Sequence, residues 1–351
     1  MTTRHPRKAT TLSVVLALVG SVSLLAGSAH GQAAVTVFAS CTGTITISAP
    51  GHYKLDGGAT RALACPAAVA PGIRITASRV HLDLGATRFS RTNGTVGILV
   101  SSDPPGTRLS DVHITGPGAV VGFTVGIQID LADDSEVRQV TVANSITHGI
   151  EASSVRGLEL TQNTLTRNGW FGLNLVGSEE GKVRNNVVSA NGIARGAITM
   201  TTPASLALTL NTPLNQIGVG IAVLGGSDNF LDRNSVTGNF GIGIAVDGNS
   251  IFNKVRQNQA AGNQTFGQAA NAGRFTNLFI GAGSTGNEVT NNVLLSVEDD
   301  NECSRNLFSN NTIITTYSNN GTRTPVGPEG TYLSPLSLVA TWVTTPSVCI
   351  S

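Results

Sequence analysis

Residues 149–191 read GIEASSVRGLELTQNTLTRNGWFGLNLVGSEEGKVRNNVVSAN, which is nearly one sentence said twice. Each copy opens with Gly, an apolar residue, a polar residue and another apolar residue. A polar turn and a second short alternating run follow, and the copy ends on Asn-x4-Asn. Gly149 to Gly172 is 23 residues, and so is Asn163 to Asn186. Both halves of the unit recur in phase, as stacked repeats require.

The period extends in both directions. Opening glycines fall at Gly97, Gly126, Gly149, Gly172, Gly196, Gly220 and Gly243, at steps of 29, 23, 23, 24, 24 and 23. The amide pair recurs at Asn163/Asn168, Asn186/Asn191, Asn234/Asn239, Asn258/Asn263 and Asn306/Asn311, with Gln139/Asn144 and Asn211/Gln216 as weaker copies. A strand of four or five residues is unstable alone, but stacked in register it makes ladder hydrogen bonds above and below. Alternation sends Ile127/Ile129, Ile150/Ala152, Leu173/Leu175, Ile221/Val223 and Ile244/Val246 inward. Gln128, Glu151, Asn174, Ala222 and Ala245 are then expected to point outward. Rungs about 4.8 Å apart let matching asparagines stack their amides. The opening glycines are expected to supply backbone freedom for a tight corner. A propeller needs a longer period, and a leucine-rich repeat needs leucines that are absent. The fold expected is all-β, a single parallel β-helix of roughly ten rungs of 22–25 residues.

With 351 residues, a repeat array needs no second domain. Charged residues are 12% and the net charge is +1, with no basic run, which removes the electrostatic case for a nucleic-acid partner. Residues 1–33 have the layout of a secretory signal: basic Arg4, Arg7 and Lys8, an apolar run over 11–27, then small residues. Secretion to the extracellular space or periplasm is expected, with no later span and no membrane anchor. The rest divides into an N-terminal cap (34–72), with a short helical turn in RALACPAAVAPG, the β-helix (73–312) and a C-terminal cap (313–351). In the last of these LSPLSLVATWV lays an apolar strip over the final rung. In an exported chain four cysteines read as disulfides and allow three pairings. Cys41 and Cys65 precede the repeats while Cys303 and Cys349 follow them, so position suggests Cys41–Cys65 and Cys303–Cys349, one bridge per cap. Oligomeric state is not readable.

These rungs, the entry Cys41-Thr-Gly-Thr-Ile with RVHLDLGATRF, and the ending DDNECSRNLFSNNT with Cys349-Ile350 resemble the right-handed parallel β-helix proteins of the pectate-lyase-like superfamily. They are most similar to its exported members, which include the periplasmic copper-maturation protein of nitrous oxide reductase. The resemblance covers roughly residues 41–349. It implies the right-handed fold but no single chemistry, because the scaffold carries lyases, hydrolases, epimerases and non-enzymes.

Two insertions, SSDPPG (101–106) and GQAANAGRFT (267–276), break the period, and solenoid insertions commonly fall on one face. The longer lyase and hydrolase motifs of the superfamily (Asn-Thr-Asp, Arg-Ile-Lys, Asp-Pro-His-Asp/Glu) are missing. If the openings stack in register, Asp130, His148 and Glu151 gather as candidate catalytic groups, with Gln128, Trp170 and Asn174 as candidate substrate-binding groups. An indole beside carboxylates and an imidazole suits sugar stacking with acid–base chemistry. No resident cofactor is expected. DLADDSE (130–136) and EDDNE (298–302) make Ca²⁺ the one ion to consider, though neither has EF-hand spacing. For copper, the mature chain offers Met200 and histidines (His52, His81, His113, His148) far apart in sequence. The first function expected is binding of an extracellular polysaccharide, with cleavage or epimerisation as its extension. The alternative is a non-catalytic surface, adhesion or scaffold protein, favoured by Ala222 and Ala245 standing where a uronate lyase needs cations.

Overall fold

The computed structural model describes residues 35–66, 70–91, 95–192, 218–263, 277–281, 283–299, 306–319 and 338–343. These form a parallel β-helix in which three sheets share one interior. In the first sheet a line of parallel partners runs Ile45, Ile73, Ile98, Ile127, Ile150, Leu173, Ile221, Ile244, Leu278, Val297 and Tyr317. The second carries His52, His81, His113, Glu136, Glu159, Lys182, Phe230, Lys254, Glu288 and Leu307 in one column. The third runs from Leu63 through Phe89, Val120, Val142, Leu165, Val188, Val236 and Ala260 to Leu294. The inward residues form one continuous core, with Phe89 stacked on Phe123 at 5.2 Å between ring centres.

Buried asparagines hold the corners. Asn186 accepts the Asn163 N–H at its Oδ1 (2.8 Å), and its Nδ2 donates to the Leu160 carbonyl (2.8 Å) and to Asn234 Oδ1 (3.0 Å). Repetition of this pattern makes one ladder through Asn163, Asn186, Asn234, Asn258, Asn292 and Asn311. A second runs through Asn168, Asn191, Asn239, Asn263 and Asn277. A third, not anticipated, runs through Asn229, Asn253, Asn287 and Asn306. Asn306 and Asn311 therefore belong to the third and first ladders, not to the first and second. Gln139 and Asn144 lie outside the ladders in left-handed conformation (φ 57° and 55°), and the backbone N–H groups of Val140 and Ser145 meet Asn163 and Asn168 instead. Asn211/Gln216 lies outside the described residues.

The opening glycines owe their place to crowding, not to flexibility. None of Gly97, Gly126, Gly149, Gly172, Gly220 and Gly243 has a left-handed φ. A Cβ on Gly172 would sit 2.5 Å from Val188 Cγ1 and 2.8 Å from both Asn191 Nδ2 and the Gly220 carbonyl. Leu173 pairs directly with Ile221, 48 residues on, so no rung stands between theirs; Gly196, expected to open one, lies outside the described residues.

The coil begins inside the expected N-terminal cap. Ile45–Ile47, Gly51–Leu55 and Ala62–Ala64 stack in register on the following rung. RALACP holds the strand Ala62–Ala64, after a short 3-10 turn over Gly58–Thr60; residues 67–69 of the expected helical turn lie outside the described residues. Cys41 and Cys65 are joined as expected; the Cys303–Cys349 pair and the signal stretch fall outside the described residues. At the other end Leu307–Asn319 prolongs the parallel stack beyond residue 312, and Leu338–Val343 pairs with it antiparallel. That strand covers an edge otherwise open to pairing with other chains.

Candidate functional site

The outward face of the first sheet gathers the residues singled out above. Its central column reads Arg74, Leu99, Gln128, Glu151, Asn174, Ala222, Ala245 and Phe279. Strand alternation, with Ile127, Ile150 and Leu173 turned inward, is what sets Gln128, Glu151 and Asn174 in register. Asp130 stands two residues along from Gln128, whose Nε2 donates to Asp130 Oδ2 at 2.8 Å.

The two carboxyls are tuned by position. Burial raises the Asp130 pKa, and the Gln128 hydrogen bond pulls it back. Burial, reinforced by the nearby Asp130 charge, raises the Glu151 pKa. Two half-buried acids on neighbouring rungs, both biased toward the protonated form, are what general acid–base work at moderate pH requires.

His148 and Trp170 form a separate group. His148 is buried, its pKa lowered by burial to about 4, so it is neutral at pH 7. Its ring meets Trp170 edge-on at 5.4 Å and Phe171 at 5.0 Å. No hydrogen bond or ion pair joins His148 to Asp130 or Glu151 among the described residues. His148 Nδ1, Trp170 Nε1 and both amide atoms of Asn174 are buried without a hydrogen-bond partner there. Trp170 is thus half-buried with its N–H enclosed, and Asn174, expected to point outward, is 1% exposed. Ala222 and Ala245 are fully buried, in a second apolar cluster with Phe171, Val219, Ile242 and Phe279 on the outer side of this sheet. They mark a closed stretch of the face, so the lack of cations there does not bear on the ligand. The open stretch runs from Arg74 to Glu151.

Arg74 escaped the sequence reading. It lies on the same column, its guanidinium 4.0 Å from Asp103 of the SSDPPG insertion and its Nε buried without a partner among the described residues. The usable signal was its place between Ile73 and Ile75, equivalent to Gln128 between Ile127 and Ile129. The insertion therefore meets the candidate face. GQAANAGRFT lies outside the described residues.

The acidic run DLADDSE disperses. Asp133 is taken by Arg108 (2.9 and 3.0 Å to Nε) and Glu136 faces Arg138 and His113. His52, His81 and His113, remote in sequence, stand on consecutive rungs with ring centres 5.4 and 6.1 Å apart. Their rings pile up and do not converge. Among the described residues no group of three or more His, Cys, Asp or Glu side chains is arranged to hold a metal ion. No helix of the described residues is long and apolar enough to cross a membrane.

Comparison with known proteins bears on the fold. The enzymatically active domain of tailspike protein 2 of bacteriophage CBA120 is similar over 84% of this chain and 49% of that one, with TM-score 0.54 and 15% identity. The full-length tailspike protein 2, from the Escherichia coli O157:H7 phage, gives TM-score 0.50 and 16% identity over 84% and 44%. The periplasmic alginate epimerase AlgG gives 0.48 and 12% over 74% and 64%. This chain spans about half the length of the tailspike chains it matches. At such identities the likeness is one of fold. No curated protein matches. The description of a right handed beta helix region matches residues 69–213 and 126–313, together most of the stacked coils. The chain belongs to the right handed beta helix family.

Proposed function

We propose that this chain is exported and binds an extracellular polysaccharide along the open stretch of the first sheet, from Arg74 to Glu151, and that Glu151 and Asp130 act on it as acid and base. The observation that carries the reading is the pair of half-buried carboxyls whose ionisation is suppressed on adjacent rungs. Glu151, whose ionisation is disfavoured by burial and by the Asp130 charge, is the proton donor. Asp130, kept closer to ionised by Gln128, is the acceptor. Arg74 supplies the cation that an acidic sugar needs on the same column, and the exposed part of Trp170 offers a ring for stacking.

Glycan-array binding by the chain without residues 1–33, with Glu151→Gln, Asp130→Asn and Arg74→Met alongside, tests this reading. Wild-type binding to an acidic glycan, weakened about tenfold or more in Arg74→Met, supports the site. Chain shortening or epimerisation that falls at least a hundredfold in Glu151→Gln while binding persists supports the acid–base pair. A folded wild-type chain that binds no glycan sinks the proposal. The non-catalytic scaffold reading is favoured by one observation: His148 and Asn174 are enclosed, so two of the six candidate side chains are withheld from a ligand, and Trp170 offers only part of its ring. Binding without turnover in any variant selects it.

A further inference from the structure

A second group of side chains lies on the outward face of the second sheet, where Asp228, Phe230, Phe252, Lys254, Arg256 and Glu288 line a concavity. Phe252 is its telling member. The turn that enters this sheet repeats on successive rungs with a left-handed residue at one fixed position: Asp134, Gly157, Glu180, Asp228, Phe252 and Gly286. Gly and Asp suit that conformation, whereas a bulky side chain is strained in it. Phe252 holds φ 57° and is 57% exposed, so the strain is not offset by burial. Its ring lies over Gly286, where a Cβ would come within 2.7 Å of two ring carbons. The rung below leaves room for the ring, and the fold draws little from it.

The polar groups around the ring are uncommitted. Lys254 and Glu288 are direct register partners, yet no ion pair joins them, and the Asp228, Lys254 and Glu288 side chains make no hydrogen bond or ion pair among the described residues. Behind them Phe230 lies between two guanidiniums, Arg184 at 5.0 Å and Arg256 at 4.9 Å, and Arg256 also faces the buried Asp232 at 3.5 Å. What lines the concavity is two aromatic rings, two carboxylates, one ammonium and one guanidinium.

We propose that this concavity is a binding site for a neutral pyranose unit, distinct from the first-sheet face. Phe252 stacks on the sugar's C–H face, Asp228 and Glu288 accept from hydroxyls, and Lys254 donates to a hydroxyl or ring oxygen. Hydroxyls both donate and accept, which this mixed set matches. Two carboxylates balance Lys254 and Arg256, so the lining carries no net positive charge to draw in a uronate or sulfated sugar.

Affinity electrophoresis of the chain without residues 1–33, in gels containing galactomannan, xyloglucan or dextran, with alginate as the acidic comparison, tests the site. The expected result is retardation in at least one neutral gel. Phe252→Gly should raise the dissociation constant at least tenfold while raising the melting temperature, because glycine relieves the left-handed strain. Loss of function with a gain of stability is a pairing that a damaged fold does not produce. The proposal fails if folded wild-type chain runs unretarded in all three neutral gels or is retarded by alginate alone. It also fails if Phe252→Gly binds as wild type or melts lower.

Discussion

At each ladder corner an asparagine amide satisfies backbone groups that a turn would otherwise leave buried and unpaired. Asn186 is the clearest case, since it serves the Asn163 N–H, the Leu160 carbonyl and Asn234 Oδ1 at once. Asn186→Ala strands the Asn163 N–H and removes a donor from the Leu160 carbonyl and from Asn234 Oδ1, which keeps the residue-186 backbone N–H; it is expected to cost about 2–4 kcal/mol in urea unfolding. Gln139→Ala, at an exposed turn one residue off the ladder, should stay within about 0.5 kcal/mol. The contrast also shows what the sequence made legible. Two ladders were plain from the 23-residue step. The third was hidden because Asn229, Asn234 and Asn239 are evenly spaced by five, and even spacing does not say which corner each holds. Outwardness was legible as well, since alternation gives it. Burial of Asn174, Ala222 and Ala245 was not, because alternation describes a strand's two faces and not what lies over them.

Among the elements, the long coil invites the sharpest test. Leu173 and Ile221 are register partners 48 residues apart. Residues 193–217 account for 25 of these, and 48 − 25 leaves 23, the step of the coils before it. Gly192 and Gly218 meet closely: a Cβ on Gly218 would lie 2.2 Å from the Gly192 Cα. The described coil therefore stops at Gly192 and resumes beside it at Gly218. A variant joining Gly192 to Gly218 is expected to keep its strand content by circular dichroism and to unfold cooperatively. Loss of folding would mean that the segment is integral to the stack. Gly196 misled because a segment of about one period mimics a rung in any spacing argument. The opening glycines misled in another way: their regularity was legible, but the cause is the nearness of Val188 and Asn191, which only stacked coils reveal.

Taken as a whole, the molecule should be weakened by acid through two histidines. The His148 pKa is lowered by burial to about 4, and the His81 pKa is lowered first by burial and then by the flanking His52 and His113. A folded-state pKa below the unfolded value of about 6.5 disfavours the charged form in the fold. That stability is complete above pH 6.5 and is lost as pH falls toward the folded values. For His148 the loss is on the order of 3 kcal/mol by pH 4. Asp130 and Glu151, whose pKa values are raised, act in the opposite sense and recover stability at the lower end of the range. Melting temperatures measured from pH 7 to pH 4 should fall for the wild type and fall less for His148→Phe; parallel curves would remove His148 from the account.

One property of the ladders carries further. In all three, the backbone N–H of one rung donates to the amide oxygen of the next rung toward the C-terminus, never the reverse. The first amide of each column takes its N–H from Val140, Ser145 or Gly181, none of which is an asparagine. Each column is thus a one-way polymer of aligned dipoles with unlike ends. A coil added before the first amide need only present a peptide N–H, so its sequence is free to drift. A coil added after the last must bring an amide of its own. Growth of the solenoid by duplication therefore has a permissive end and an exacting one.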